Sequence, residues 1–252
     1  MRKSDSVRKL TLIIGAAMFV MGSTAFAHTT IKAQATEGVT EDNALKIGHT
    51  CETDDGDHIP VIGQSVLFPT QSPEITTSDG SAIADLSQVI ELGGLQGLAR
   101  PIQDKSIFKK QQQKYDALEN VIGFAAAAGS LDPEIPGRAP FQFAAPRIVA
   151  SSCAKRLLIK VAIADICVRG TSVQDSLKFG KVNMWIPDNG SMYSIVAKAE
   201  GIDGLDGAAT LTVNRNLTTN PLPPACGAGI DVTVTPSAAD INANFGIPGY
   251  WP

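Results

Sequence analysis

Histidine is scarce in this 252-residue chain and is confined to one end of it. The three histidines are His28, His49 and His58, and residues 59–252 contain none. Neutral imidazole is a common metal ligand, and nitrogen donors favour Cu(II) among the first-row divalent metals. Any imidazole site must therefore be built from residues 28–58, with the rest of the chain as its scaffold.

Residues 1–27 have the pattern of a secretory signal peptide. Four basic residues lie among the first nine, residues 10–21 are mainly apolar, and Ala25 and Ala27 precede the expected cleavage site. The apolar run is shorter than the roughly 20 residues of a membrane-spanning helix. We expect an exported protein without a membrane span after residue 27, at the outer-membrane surface, secreted or periplasmic. An uncleaved N-terminal anchor is the alternative.

Cleavage after Ala27 would make His28 the first residue, so that its amine and its imidazole could chelate copper together. His49 and His58 lie nine residues apart, on either side of the acidic run 54–57, whose carboxylates could orient ligating imidazoles. We therefore predict a metal site with His28, His49 as its first partner and His58 as a third ligand. The alternative is a frayed first residue and two solvated surface histidines.

Two acidic segments, residues 54–57 (DDGD) and 203–207 (DGLDG), resemble fragments of a calcium loop. Neither has the acidic positions of a complete twelve-residue loop. Calcium is therefore a secondary candidate ligand, and exposed acidic turns are the simpler interpretation of both segments.

All four cysteines, Cys51, Cys153, Cys167 and Cys226, follow residue 27. An even number of cysteines in an exported chain predicts two disulfides, and four cysteines allow three pairings. The spacing contains no Cys-x-x-Cys, which argues against a zinc ribbon and against a thioredoxin-type redox site.

Charge and motif content exclude several function classes. Residues 1–27 hold four of the 21 Lys and Arg and one of the 25 Asp and Glu, so the remainder carries 17 against 24, a net charge of −7. This balance gives no electrostatic support for nucleic-acid binding. The chain also lacks a Gly-x-Ser-x-Gly elbow, a phosphate-binding loop and a His-Glu-x-x-His motif. We predict a protein that is not an enzyme.

Beyond about residue 147 the pattern is that of short strands separated by Gly, Pro and Asn. The apolar side chains of residues 155–167 fall on odd positions, and residues 182–186 and 193–197 resemble a pair joined by a turn. Two further strands are predicted at residues 210–213 and 231–235.

The middle of the chain has a different composition. Residues 106–128 are rich in Lys, Gln, Ala and Leu and predict a helix that ends at Gly129, whereas residues 69–105 and the proline-rich residues 129–146 predict loops. The predicted fold class is mainly β: a single antiparallel, sandwich-like domain over residues 28–252, with long loops and one or two helices in the middle.

Residues 47–51 (IGHTC) and 59–70 (IPVIGQSVLFPT) resemble the MopE/CorA family of copper-repressible, surface-associated copper-binding proteins of methane-oxidising bacteria. Residues 157–167, 183–187 (NMWIP) and 209–236 are similar to the same family. The resemblance implies a copper-binding protein at the cell surface that catalyses no known reaction. Its implied partners are the copper ion and another surface or periplasmic copper or redox protein.

The family's copper site is described as two imidazoles and a kynurenine, made from a Trp two residues before a His. No such Trp precedes a His here, and Trp185 and Trp251 are far from every His in sequence, so we expect no kynurenine ligand. Periplasmic copper proteins with an N-terminal His brace share the exported Ala-His start and are the closer model for ligation.

Two functions follow from these features. The first is an exported protein that captures, buffers or delivers copper outside the cytoplasm, as Cu(I) or Cu(II). The alternative is a surface-associated structural or interaction protein of the same family that has lost the metal site.

Overall fold

The computed structural model describes residues 28–202 and 204–252, so the expected signal peptide, residues 1–27, lies outside the described residues. The described residues are mainly β, as predicted. Their strands are β1 (Thr30–Ile31), β2 (Ala35–Thr36), β3 (Thr40–Ile47), β4 (Cys51–Glu52), β5 (His58–Ile59), β6 (Gly63–Leu67), β7 (Glu74–Thr77), β8 (Ala99–Pro101), β9 (Phe108–Tyr115), β10 (Val121–Gly129), β11 (Gly137–Ala144), β12 (Ala154–Ile166), β13 (Val182–Trp185), β14 (Ala209–Asn214) and β15 (Ile230–Thr235). Their α-helices are α1 (Val173–Ser176), α2 (Met192–Glu200) and α3 (Ala238–Asn244).

Two sheets enclose the main core. The smaller sheet has the order β1-β3-β11-β8, and the larger has the path β2-β14-β12-β6-β10-β9 with β13, β15 and β7 attached. Buried side chains of the smaller sheet, such as Ile47 and Phe141, belong to one apolar cluster with Leu157 and Ile159 of β12. The larger sheet is mixed rather than wholly antiparallel, because β15 runs parallel to β12 and β2 runs parallel to β14.

Strand β12 is the centre of the larger sheet. It pairs with β6, β13, β14 and β15 along its thirteen residues. Its odd positions from 157 to 163 face the main core, while Ala162, Ala164 and Ile166 belong to a second core that includes Tyr193 of α2 and Phe245 next to α3. Both faces of β12 are therefore buried over residues 161–166, whereas Arg156 is exposed and Lys160 is half-buried in its first half.

The helix predicted over residues 106–128 is wrong, because this segment is the β9–β10 hairpin. Phe108 and Lys114 of β9 are buried beside exposed Lys and Gln residues, and the small side chains of Ala125 and Ala126 fit the buried strand β10. A Cβ at Gly123 would collide with the β6 backbone, so this strand packs against its neighbour at close range. Tertiary packing thus overrides helix propensity here.

Two other local predictions are also wrong. Residues 193–197 lie in α2, which begins where the Ser191 side chain accepts the Ser194 N–H and ends at Gly201 in the left-handed region. The proline-rich segment contains β11, in which the Pro140 carbonyl accepts the Ile102 N–H. The α-helices of the described chain therefore lie in its last third rather than in the middle.

Two disulfides are present, as predicted from the cysteine count. Cys51 pairs with Cys167 and Cys153 pairs with Cys226, with Cα–Cα distances of 6.1 and 5.2 Å. This selects one of the three possible pairings and indicates an oxidising environment. Among the described residues, no helix is both long and apolar enough to cross a membrane.

The side chain of Lys114 is buried against the C-terminal end of α3. The Nζ atom of Lys114 lies 2.7 Å from Ser65 Oγ, 2.8 Å from the Asn244 carbonyl, 2.7 Å from the Phe245 carbonyl and 2.8 Å from the Gly246 carbonyl. These carbonyls end a helix and lack helical partners, so the lysine supplies the donors that they need. Lys114 therefore fastens the C-terminal segment to β9 and β6.

We expect Lys114→Met to lower the free energy of unfolding by about 1–3 kcal/mol, because it removes the donor to the partly buried Asn244 and Gly246 carbonyl oxygens, while the Phe245 carbonyl still accepts the Ser65 hydroxyl. Lys110→Met is the matched control, since Lys110 is exposed on the same strand and its loss should change stability by less than about 0.5 kcal/mol. Urea unfolding at pH 7 measures both. Equal effects of the two substitutions would contradict this role of Lys114.

Comparison of the wild-type protein with Lys114→Met also tests the titration of Lys114. Burial lowers the pKa of Lys114 from 10.5 to about 7, and the charge of Asp240 opposes this shift. Between these pH values the unfolded chain holds one more proton at this side chain than the folded chain, so the lysine's contribution to the free energy of unfolding increases with pH. The stability difference between wild type and Lys114→Met should therefore grow from pH 7 to about pH 10. A constant difference would contradict the lowered pKa.

Candidate metal centre

The pairing of β1 with β3 brings two of the three histidines together. The antiparallel register places Thr30 opposite Lys46 and Ile31 opposite Leu45, so its continuation sets His28 opposite residue 48. His49 follows β3 closely, and both His28 and His49 are half-buried. The closeness of the segments that carry these two residues thus has a simple origin in the first strands of the smaller sheet.

Trp185 contacts both imidazoles from the opposite sheet. Its ring centroid lies 4.7 Å from that of His28, at an interplanar angle of 45°, and 5.5 Å from that of His49, in an edge-to-face arrangement at 86°. Trp185 itself is fully buried at the end of β13. Trp185 is therefore far from every His in sequence but close to two of them in the folded protein.

The fully buried carboxylate of Asp165 holds Trp185 and the residue next to His28 in place through hydrogen bonds. Its Oδ2 atom accepts hydrogen bonds from Trp185 Nε1 at 2.7 Å and from Thr29 Oγ1 at 2.6 Å, and its Oδ1 atom accepts one from Gln64 Nε2 at 2.7 Å. Thr29 is the residue after His28. A single carboxylate therefore fixes the indole that contacts both imidazoles and the backbone that carries one of them.

Burial raises the pKa of Asp165, while the hydrogen bonds from Thr29, Gln64 and Trp185 and the charge of His49 act in the opposite direction. All three hydrogen-bond donors are uncharged groups. The anionic form of this carboxyl is therefore favoured by any positive charge that enters its surroundings.

The polar residues around Asp165 form a row across three strands. Asp165 of β12 lies opposite Gln64 of β6 on one side and opposite Asn183 of β13 on the other. The next row on the same face of the sheet is apolar, with Ile163 between Val66 and Trp185. Asp165 was not among the predicted site residues, although it is the first odd position after Leu157 that interrupts the apolar series of β12.

The hydrogen bonding of His49 determines which of its ring nitrogens can bind a metal. Its Nδ1 atom lies 2.7 Å from the Thr50 carbonyl oxygen, which also accepts the Asn183 side-chain amide at 3.2 Å. Because a carbonyl oxygen only accepts, Nδ1 must carry the proton, and the lone pair of the neutral ring is then on Nε2. This is the arrangement in which an imidazole binds a metal through Nε2.

The second acidic segment, predicted as a fragment of a calcium loop, packs on the same site. A Cβ at Gly207 would lie 2.8 Å from His28 Nδ1, and a Cβ at Gly204 would collide with the ring of Trp185. Gly204 also has a φ of 100°, in the region that favours glycine. These two glycines are needed for close approach to the aromatic rings. Asp203 lies outside the described residues.

His58 lies apart from this arrangement in the β4–β5 hairpin, where it is exposed and opposite Glu52. The acidic run 54–57 forms the exposed turn of that hairpin, in which Gly56 N–H donates to the Thr53 carbonyl at 2.9 Å. Within residues 28–202 and 204–252, no group of three or more His, Cys, Asp or Glu side chains is positioned to hold a metal ion. His58 as a third ligand stays a prediction.

A cleft of about 500 Å³ reaches the candidate centre from solvent. His49, Thr50 and Asn183 line it together with Phe179 and Lys198 of the surrounding segments. An ion or a small ligand could therefore approach His49 without any opening of the sandwich.

Comparison with protein-family models, with curated proteins and with solved structures finds no match to this chain. The functional argument therefore depends on the geometry of the residues described above.

Trp185→Phe tests the hydrogen bond between the indole and Asp165. The substitution keeps an aromatic ring but removes a donor from a buried carboxylate, and we expect it to lower the free energy of unfolding by about 1.5–3 kcal/mol more than a matched substitution that breaks no hydrogen bond. Trp251→Phe is that match, because Trp251 is also buried and its Nε1 has no hydrogen-bond partner among the described residues.

Urea unfolding followed by far-UV circular dichroism measures both variants without depending on tryptophan fluorescence. Similar losses for Trp185→Phe and Trp251→Phe would mean that the indole contributes only its packing, and that Asp165 does not hold Trp185 in place.

Proposed function

We propose that this protein binds copper outside the cytoplasm, and that it captures, buffers or delivers the ion through His28 and His49. The observation that carries the proposal is the position of both imidazoles against one indole, Trp185, which is itself hydrogen-bonded to the buried carboxylate of Asp165. Three regions that are distant in sequence contribute to this one place.

The donor set supports copper over harder cations. Two neutral imidazoles suit copper or zinc, whereas calcium requires six to eight oxygen ligands. Of the two, Cu(II) binds nitrogen donors more tightly than Zn²⁺ does. Cleavage after Ala27 would add the amine of His28 as a third nitrogen donor. A bound ion would supply Lewis acidity and, in copper's case, one-electron chemistry.

The charge around the centre also supports a cation. The Asp165 carboxyl is buried among uncharged donors, and a positive ion held by His28 and His49 would stabilise its anionic form. The hydrogen bond from His49 to the Thr50 carbonyl already orients its ring for ligation through Nε2.

The location outside the cytoplasm is supported by the sequence of residues 1–27 and by the two disulfides. The choice among a periplasmic, secreted or outer-membrane surface form is part of the proposal. The surface-exposed or periplasmic copper or redox protein predicted as a partner belongs to the proposal as well.

Copper binding by the secreted form is the direct test. Metal analysis with N-terminal sequencing would establish whether His28 is the first residue and whether copper accompanies it. We expect copper to raise the melting temperature, since a ligand of the folded state alone must stabilise it. Competition with a chelator should show that His28→Ala and His49→Ala weaken binding at least about tenfold each.

His58→Ala separates the two-imidazole site from a three-imidazole site. Because His58 is exposed on the β4–β5 hairpin, we expect its loss to weaken copper binding less than the loss of His28 or His49. A protein that takes up no copper, or whose affinity is unchanged by His28→Ala and His49→Ala, would refute the proposal. That result would favour the structural or interaction protein that has lost the metal site.

A further inference from the structure

The Cys51–Cys167 disulfide joins the β4–β5 hairpin, which follows β3 in the chain, to the end of β12 in the larger sheet, beside the candidate metal centre. Cys51 begins β4, two residues after His49, and Cys167 follows β12, two residues after Asp165. The bond therefore joins the segment that carries one imidazole to the strand that carries the buried carboxylate.

This disulfide is closed to solvent and its backbone is hydrogen-bonded. Cys51 is fully buried and Cys167 is 3% exposed. The Cys51 N–H donates to Cys167 Sγ at 3.2 Å, and the Cys167 N–H donates to the Lys181 carbonyl at 2.9 Å. The residue before Cys51 is Thr50, whose carbonyl accepts the Nδ1 proton of His49. The crosslink thus fixes the group that orients this imidazole.

The segment of His49 also meets the larger sheet through non-covalent contacts. Strand β4 has two residues and pairs with the two-residue strand β5. Two contacts that reach β13 are the 3.2 Å hydrogen bond from Asn183 to Thr50 and the edge contact between His49 and Trp185. Both are weaker than a covalent bond, so loss of the disulfide should release this segment first.

The second disulfide provides an internal comparison. Cys153–Cys226 joins the start of β12 to a turn before β15, and both of its residues are partly exposed. The thirteen residues of β12 separate the two crosslinks by about 40 Å along the strand. Both disulfides constrain the unfolded chain, but only one adjoins the imidazoles.

We propose that the Cys51–Cys167 disulfide is a redox lock on the metal centre, which reaches its full copper affinity only when this bond is formed. Copper binding would then begin after export into an oxidising compartment. In the locking step two thiols lose two protons and two electrons to a disulfide oxidant, such as oxidised glutathione, which becomes two thiols. The lock rests on the copper binding proposed above.

Chelator competition on three folded proteins tests the lock: wild type, Cys51→Ala/Cys167→Ala and Cys153→Ala/Cys226→Ala. Alanine avoids free thiols, which would bind copper themselves. We expect copper affinity to fall about 10- to 100-fold in the first double variant, as for other residues that orient metal ligands, and to stay at the wild-type value in the second. Equal affinities in both variants, whether unchanged or reduced, would overturn the lock.

A measurement on the wild-type protein applies even where the first double variant fails to fold. If the bond favours copper, copper must favour the bond by the same factor. Copper should therefore shift the equilibrium opening of Cys51–Cys167 in a thiol–disulfide redox buffer towards the closed disulfide and leave that of Cys153–Cys226 unchanged, as measured by alkylation and mass spectrometry. An unchanged opening of Cys51–Cys167 would overturn the lock alone, whereas a wild-type protein without copper affinity would overturn both proposals.

Discussion

The burial of one carboxylate, that of Asp165, determines how the two sheets meet. A carboxyl group in the middle of a β sandwich requires several hydrogen-bond donors, because an unpaired buried charge is strongly unfavourable. Trp185, Gln64 and Thr29 supply them from β13, from β6 and from the segment before β1. Since Thr29 belongs to the smaller sheet's side, satisfying this carboxylate requires both sheets in their final positions.

The positions of the two imidazoles depend on the hydrogen bonds that the buried Asp165 carboxylate accepts. His28 is adjacent to Thr29, which Asp165 holds, and His49 lies beside the crosslink between Cys51 and Cys167. Both rings then contact the indole of Trp185, which the same carboxylate orients. The support of the site is thus shared between a polar network and a covalent bond, and of these groups only Thr29 lies on the segment between the two histidines.

The sequence predicted those features that depend on local pattern. The alternation in β12, β14 and β15, the even cysteine count and the clustering of histidines all required only neighbouring residues. The prediction of a helix over residues 106–128 was wrong, because the pairing of β10 with β6 and β9 outweighs the helix propensity of these residues. Asp165 and Trp185 could not be assigned to the site, because their roles come from contacts with residues more than a hundred positions away in sequence. Asp165 accepts hydrogen bonds from Thr29 and Gln64, and Trp185 contacts His28 and His49.

The parts of the candidate site form at different stages of folding. The β1–β3 pairing that brings His28 near His49 is local and can form early, since it closes a short loop. Asp165 and Trp185 join only when β6, β12 and β13 have paired and the sandwich has closed. An ion that requires the complete arrangement would bind only the folded chain and would stabilise it as a whole. One that binds the two imidazoles alone would also bind partly folded chains and would stabilise the native state less.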